Sequence, residues 1–301
     1  MAQKKSITLL DGSIGQELVK RAGDKPTSQW STSVMMNNPD IVAQVHSDYF
    51  KVGATIATTN TYSVHYDRLK RDGLEKERFK LWNFAVDAAV KSKNQHGSGL
   101  VAASIGPLMA SYRPDICPSA SEAEKMYQEI ISVISQKADL LLIETMSSVD
   151  QADGALRAAK QCSKPVWIAF SVDDFDGSKL RSGESILETK SVLEQHNPAA
   201  VLINCSRPEA VTLAVRIISQ LGFKFGAYAN GFTKITDEFL EDAPTVSSLK
   251  RRKDLSPKEY LKFVYEWINL GATIVGGCCE VGPEHIKLIA EDLTKSGYQI
   301  G

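Results

Sequence analysis

Two adjacent cysteines, Cys278 and Cys279, follow the run Thr273-Ile274-Val275-Gly276-Gly277 near the end of the chain. Successive side chains on a strand point to opposite faces, so neighbouring thiolates reach one ion only where the backbone bends, and the two glycines permit that bend. A third candidate thiol, Cys205, stands just past another apolar run, Ala200-Val201-Leu202-Ile203-Asn204. Three thiolates would hold a zinc ion and leave one position open for substrate. The competing reading is that these are small buried side chains, since free cysteine is among the most buried residue types. Cys117 and Cys162 are then spare thiols.

Zinc with three thiolates carries a net charge of about -1, so a substrate thiol bound there loses its proton yet stays electron-rich enough to attack an electrophile. That chemistry suits alkyl transfer better than hydrolysis. A hydrolytic zinc usually needs a water and a general base, as in H-E-x-x-H, and the chain has no such motif. His46, His65, His96, His196 and His285 lack metal-ligand spacing, and each reads as a surface or core histidine.

The elements that must carry these groups recur along the chain. Apolar runs at 7–10, 54–59, 100–105, 140–143, 166–172, 200–204, 224–229 and 272–276 alternate with helix-period segments long enough to cross over to the next strand. Eight βα units in 301 residues most simply close into one (β/α)8 TIM barrel spanning 1–301, with the active site at the carboxyl ends of the strands. Asp11, Asn60, Glu144, Cys205, Asn230, Cys278 and Cys279 all fall at or just beyond such ends. A doubly wound open sheet is the alternative, but neither G-x-G-x-x-G nor G-x-x-x-x-G-K-[ST] occurs. Three long connections, Met109 to Ser121, Asp173 to Gly183 and Gly231 to Ser256, should overhang the site.

With 35 basic and 36 acidic residues the chain has no global field favouring nucleic acid or an anionic membrane, and its partners are expected to be small molecules. No apolar h-region precedes Asp11, and no uninterrupted apolar segment approaches the ~18 residues of a membrane span. An odd cysteine count in a chain too long to need disulfide staples suits a reducing compartment, so a cytoplasmic location is expected. The basic tetrad Lys250-Arg251-Arg252-Lys253 reads as a solvated loop.

The run Leu10-Asp11-Gly12-Ser13-Ile14-Gly15, the turn Thr59-Asn60-Thr61-Tyr62, Ser104-Ile105-Gly106-Pro107, Ile143-Glu144-Thr145, Ile203-Asn204-Cys205 and Gly276-Gly277-Cys278-Cys279 with Pro283 and His285-Ile286 together resemble the homocysteine S-methyltransferase family. The resemblance covers nearly the whole chain, and the two-part cysteine signature is its specific element. It implies that Cys205, Cys278 and Cys279 hold Zn2+ and that Asp11 and Glu144 help hold the homocysteine amino group. It also places Thr59, Asn60, Tyr62 and Trp30 among the substrate-binding residues, with Trp30 in the pocket of a cationic methyl donor. Asn230 matches an asparagine that some relatives use as a resting metal ligand; its other reading is a cap for the turn into Gly231. The chain departs from relatives at Tyr228-Ala229-Asn230, where many have Tyr-Pro-Asn, and at Glu280-Val281-Gly282-Pro283, where many have a threonine-rich run.

The expected activity is methyl transfer from a sulfonium or quaternary ammonium donor, such as S-methylmethionine, S-adenosylmethionine or betaine, to the homocysteine thiol, giving methionine. Two alternatives stand beside it: a homocysteine-activating subunit for a separate corrinoid protein, and a non-catalytic zinc-binding barrel. The donor's identity, acceptance of selenohomocysteine, and the choice between monomer and homo-oligomer stay open at this stage.

Overall fold

The apolar runs become strands of one parallel sheet, and the amphipathic segments between them cross over as helices that cover its outer face. In the computed structural model, residues 5–23, 27, 29–241 and 245–301 are described, so the basic start Met1 to Lys4 lies outside the described residues. The strands are β1 Ser6–Leu9, β2 Ile56–Thr58, β3 Leu100–Ile105, β4 Leu140–Met146, β5 Val166–Phe170, β6 Ala200–Asn204, β7 Phe225–Tyr228, β8 Ile274–Val275 and β9 Gln299–Ile300. From β2 to β8 each strand pairs in parallel with the next, and β8 pairs with β1 through Thr8 opposite Ile274 and Leu9 opposite Val275. The ring closes where Thr55 N–H donates to the Leu9 carbonyl at 2.7 Å and Leu10 bridges Ile56. This is the (β/α)8 barrel expected.

The ninth strand was not expected, and its place follows from backbone alternation. The carbonyls of Lys5, Ile7 and Leu9 lie along one edge of β1 and accept from Gln299, Gly301 and Thr55 respectively. Thus β9 occupies the first half of the seam that β2 takes over. A two-residue strand with no apolar run leaves no pattern to read.

Strand alternation also sorts the core into two layers. Leu141, Ile143, Val201 and Ile203 pack outward against the helices, whereas Leu10, Ile56, Ala102, Leu140, Leu142, Ala200, Leu202 and Ile274 fill the barrel interior. Continuing the inward series by two residues puts Thr58, Ser104, Glu144 and Asn204 on the same interior face, one layer nearer the carboxyl end. The strands β2, β5, β7 and β8 are shorter than their apolar runs, but β4 is longer, so Glu144 lies within the strand and not just past it.

The helix after Asn38 starts with Pro39 at its first position and runs Pro39–Lys51. Its buried face is Val42, Val45, His46, Tyr49 and Phe50, while Ile41 and Val52 are half-buried. Gly53 follows in the left-handed region at φ 107, where its missing Cβ would lie 2.5 Å from Ala290 Cβ. Among the described residues no helix is long and apolar enough to cross a membrane.

Candidate active and metal site

The three candidate thiols meet at the carboxyl end of the barrel. Cys205 Sγ lies 2.7 Å from Cys278 Sγ and 3.8 Å from Cys279 Sγ, and all three sulfurs lie within 4.8 Å of one another. A metal held tetrahedrally by thiolates at about 2.3 Å separates its sulfurs by about 3.8 Å, so the Cys205–Cys279 edge already has the required length and the Cys205–Cys278 edge must open by about 1 Å. The set of three sulfur donors fits a borderline or soft metal ion.

The chain leaves β8 after Val275, at the two glycines, without a left-handed turn there. Gly276 and Gly277 are not in the left-handed region; they are required because a Cβ would lie 2.5 Å from Leu10 Cβ at the first and 2.2 Å from Val281 Cγ1 at the second. The left-handed turns are at Cys205, φ 49, and at Glu280, φ 66, on either side of the cluster. Hydrogen bonds from Cys278 and Cys279 pull the Cys205 thiol well below its ordinary range despite burial, and the same bonds push Cys278 up.

Two carboxylates share the same cavity with the sulfurs. Asp11 is buried and accepts from Thr58 N at 2.6 Å and Thr58 Oγ1 at 2.8 Å. Glu144 is buried and accepts from Ser104 Oγ at 2.5 Å, Tyr228 Oη at 3.0 Å and Asn204 Nδ2 at 3.5 Å. Among the described residues neither carboxylate has an ion-pair partner. Burial pushes Asp11 up to about 8 and Glu144 up to about 7, and the Glu144 charge adds to the rise at Asp11. Ser13 holds the N-cap position of the helix Ile14–Ala22.

Trp30 and Tyr62 form one wall of this cavity, edge to face with ring centroids 6.1 Å apart. Gly15 makes room for them: a Cβ there would lie 2.5 Å from Trp30 Cζ2. Tyr62 Oη shares a 2.8 Å hydrogen bond with Ser111 Oγ. Thr59 and Asn60 also line the cavity, but their polar atoms serve the protein. Asn60 Oδ1 accepts from Ser31 Oγ at 2.7 Å, and Thr59 Oγ1 meets Thr61 Oγ1 at 2.7 Å and accepts from Ser104 N at 3.0 Å. Their geometry fixes the second strand end and the helix Ser31–Asn37 beneath Trp30.

Asn230 is buried just past β7, with its Oδ1 accepting from Phe232 N at 3.1 Å and its Nδ2 without a partner. The oxygen thus braces the turn through Gly231 and keeps a second lone pair. Of the three long connections, Met109 to Ser121 and Gly231 to Ser256 contribute cavity walls, through Met109, Ser111, Tyr112, Phe232, Phe239 and Leu249. Asp173 to Gly183, also expected to overhang the site, contributes no residue to the cavity wall; its Arg181 lies over the ring of Tyr112 instead. The basic tetrad is not uniformly solvated: the Arg252 side chain is 10% exposed and forks between Glu209 and Asp254. Cys117 and Cys162 are half-buried and outside the sulfur cluster, and no histidine joins it.

Sequence reasoning missed Thr58, Asn204, Tyr228 and Tyr112 as parts of the site. Thr58 and Asn204 could have been found by extending the inward alternation of β2 and β6 by one step. Tyr112 is in an irregular loop, and no periodicity marks it.

The whole chain was compared with known proteins. The family model described as homocysteine S-methyltransferase matches residues 8–293. The chain is 27% identical to homocysteine S-methyltransferase YbgG of Bacillus subtilis, covering 94% of this chain and 93% of that protein. It is 26% identical to the homocysteine S-methyltransferase of Escherichia coli, covering 96% of each. Among solved structures, the metallated form of the homocysteine methyltransferase MmuM from Escherichia coli superposes with a TM-score of 0.79 at 24% identity, covering 97% of each chain, a likeness of fold.

Proposed function

The chain belongs to the homocysteine S-methyltransferase family and transfers methyl groups to the homocysteine thiol; from that premise we propose that its metal is zinc and its donor a small sulfonium or quaternary ammonium compound. We read residues 1–301 as one homocysteine-binding barrel, working on small molecules in the cytoplasm. Cys205, Cys278 and Cys279 would hold the zinc, with the Asn230 oxygen as a displaceable fourth ligand. When bound, the zinc supplies a Lewis acid that keeps the incoming thiol deprotonated at neutral pH.

The observation that carries this reading is the pair of buried carboxylates with no counter-cation, in the same cavity as three sulfurs. A buried carboxylate is costly unless paired. An ammonium group entering between Asp11 and Glu144 would supply that pairing and draw both to their ionised forms. A ligand with its ammonium there and its sulfur at the cysteines has the charge and bifunctional character of homocysteine.

The methyl step balances without a protein base. The substrate sulfur forms its bond to the methyl carbon as the carbon–sulfur or carbon–nitrogen bond of the donor breaks, and the electron pair stays on the donor heteroatom, which becomes neutral. The chain's contribution is to orient and to exclude water. The Trp30 and Tyr62 faces attract a cationic methyl group, and that attraction weakens as the donor loses its charge, which favours departure.

Metal analysis combined with a donor screen tests the proposal. One zinc per chain and methionine formation from homocysteine with a free sulfonium or ammonium donor are expected. Methionine formed only with a methylated corrinoid protein would overturn the donor assignment, and full activity after removal of all metal would overturn the zinc.

A further inference from the structure

Elements from all three long loops above the sulfur cluster converge on one side chain, Tyr112. Its hydroxyl donates to Cys205 Sγ at 3.0 Å, and the residue is 7% exposed. Its backbone sits in the left-handed region at φ 62, a conformation a bulky residue keeps only when its surroundings hold it. Those surroundings are specific. The Arg181 guanidinium lies over the ring face, 4.6 Å from the centroid, and Phe239 packs against the ring with centroids 6.0 Å apart.

Arg181 is fixed in turn. It donates to Asp174 from Nη2 at 2.9 Å and Nη1 at 3.3 Å, and to Ser171 Oγ from Nε at 2.8 Å. Nη2 also approaches the Cys205 carbonyl at 3.5 Å. Asp174 accepts from Ile235 N at 2.7 Å, which ties the loop after β5 to the loop after β7. Arg181 and Asp174 side chains are only 10% and 5% exposed, so neither charge is solvated if the other is lost.

We propose that Tyr112 is a positioning residue of the metal site, donating a hydrogen bond to the Cys205 sulfur while metal is bound, and that Arg181 with Asp174 holds it there. The proposal rests on the reading of the three cysteines as metal ligands. A buried phenol hydroxyl needs an acceptor, and a thiolate is a strong one. Three thiolates on a divalent ion leave an excess negative charge, and a hydrogen bond draws part of it off Cys205. The metal then receives less charge from that sulfur and accepts a fourth sulfur more readily. Outer partners of metal ligands commonly change affinity or activity by 10–100-fold when removed.

The test replaces the native metal with cobalt(II), whose thiolate-to-metal absorption reports charge on the ligand sulfurs. In Tyr112→Phe the ring and its Arg181 contact remain and only the hydroxyl is lost. The charge-transfer band should move to longer wavelength with the d–d envelope still four-coordinate, and the apparent affinity of the metal-loaded protein for homocysteine should fall roughly tenfold. Arg181→Met keeps the hydroxyl but removes the clamp, and should shift the band the same way by a smaller amount. A role in packing alone would lower the melting temperature and leave the band in place. An unchanged band in folded Tyr112→Phe, or in Arg181→Met should the first variant fail to fold, overturns the proposal. Wild-type protein that shows no cobalt–thiolate band would instead sink the metal reading itself, and Tyr112's role with it.

Discussion

Replacing Glu144 by glutamine should make the protein more stable at alkaline pH and worse at binding homocysteine. The carboxyl rises from its ordinary 4.5 to about 7 because it is buried. Between those two values the folded protein keeps a proton that the unfolded chain has released, so stability falls as pH rises through this window. At about 1.36 kcal/mol per pH unit, the ionised form costs about 3 kcal/mol once the pH exceeds 7. The amide avoids that cost with little local disturbance, because Ser104 Oγ, which faces Oε1, can turn to accept from an amide nitrogen there, while an amide oxygen in the place of Oε2 still accepts from Tyr228 Oη and Asn204 Nδ2. Differential scanning calorimetry of metal-loaded protein should therefore show Glu144→Gln melting higher than wild type at pH 8, by about 5 °C, with the gap closing at pH 4.5. Homocysteine affinity should move the opposite way, since a charge-assisted hydrogen bond is worth about 1.5–3 kcal/mol, or about 10- to 100-fold in binding. Metal content should be unchanged. Equal melting temperatures at pH 8, or unchanged homocysteine affinity in titration calorimetry, would refute the reasoning that Glu144 is held in an unpaired state for an ammonium ligand.

Cys205→Ala should abolish metal binding and activity, whereas Cys117→Ser and Cys162→Ser should keep one metal per chain by elemental analysis; a metal-replete Cys205 variant would contradict the ligand set. In Gly15→Ala the new methyl group would displace Trp30, raising the donor KM on the order of fivefold with homocysteine KM unaffected, as steady-state kinetics can show. A change confined to stability would reduce Trp30 to packing. Asn230→Ala should keep the metal on its thiolates but change the light-atom ligand seen by X-ray absorption, and an identical spectrum would leave Asn230 only its bond to Phe232 N.

The barrel was legible in the sequence because its signal is local. An apolar run followed by a polar residue marks a strand end wherever it occurs, and eight such runs alternating with helical periods leave few topologies. Asp11, Glu144, Cys205, Cys278 and Cys279 were visible by the same rule, as polar or reactive groups just where a barrel exposes them. What the sequence could not contain was distance. Cys205 stands more than 70 positions from its partner sulfurs, and only closure of β1 on β8 and β2 brings Asp11 to Thr58 and into the cavity that Glu144 and the thiols share. The same holds for charge: Asp11 and Glu144 look like ordinary acids until burial without a counter-cation raises both, and burial is a property of all the strands at once. Gly276 and Gly277 show the difference most plainly. Their type suggested a bend, but the reason they must be glycine is Leu10 and Val281 pressed against them, and that contact exists only in the folded chain.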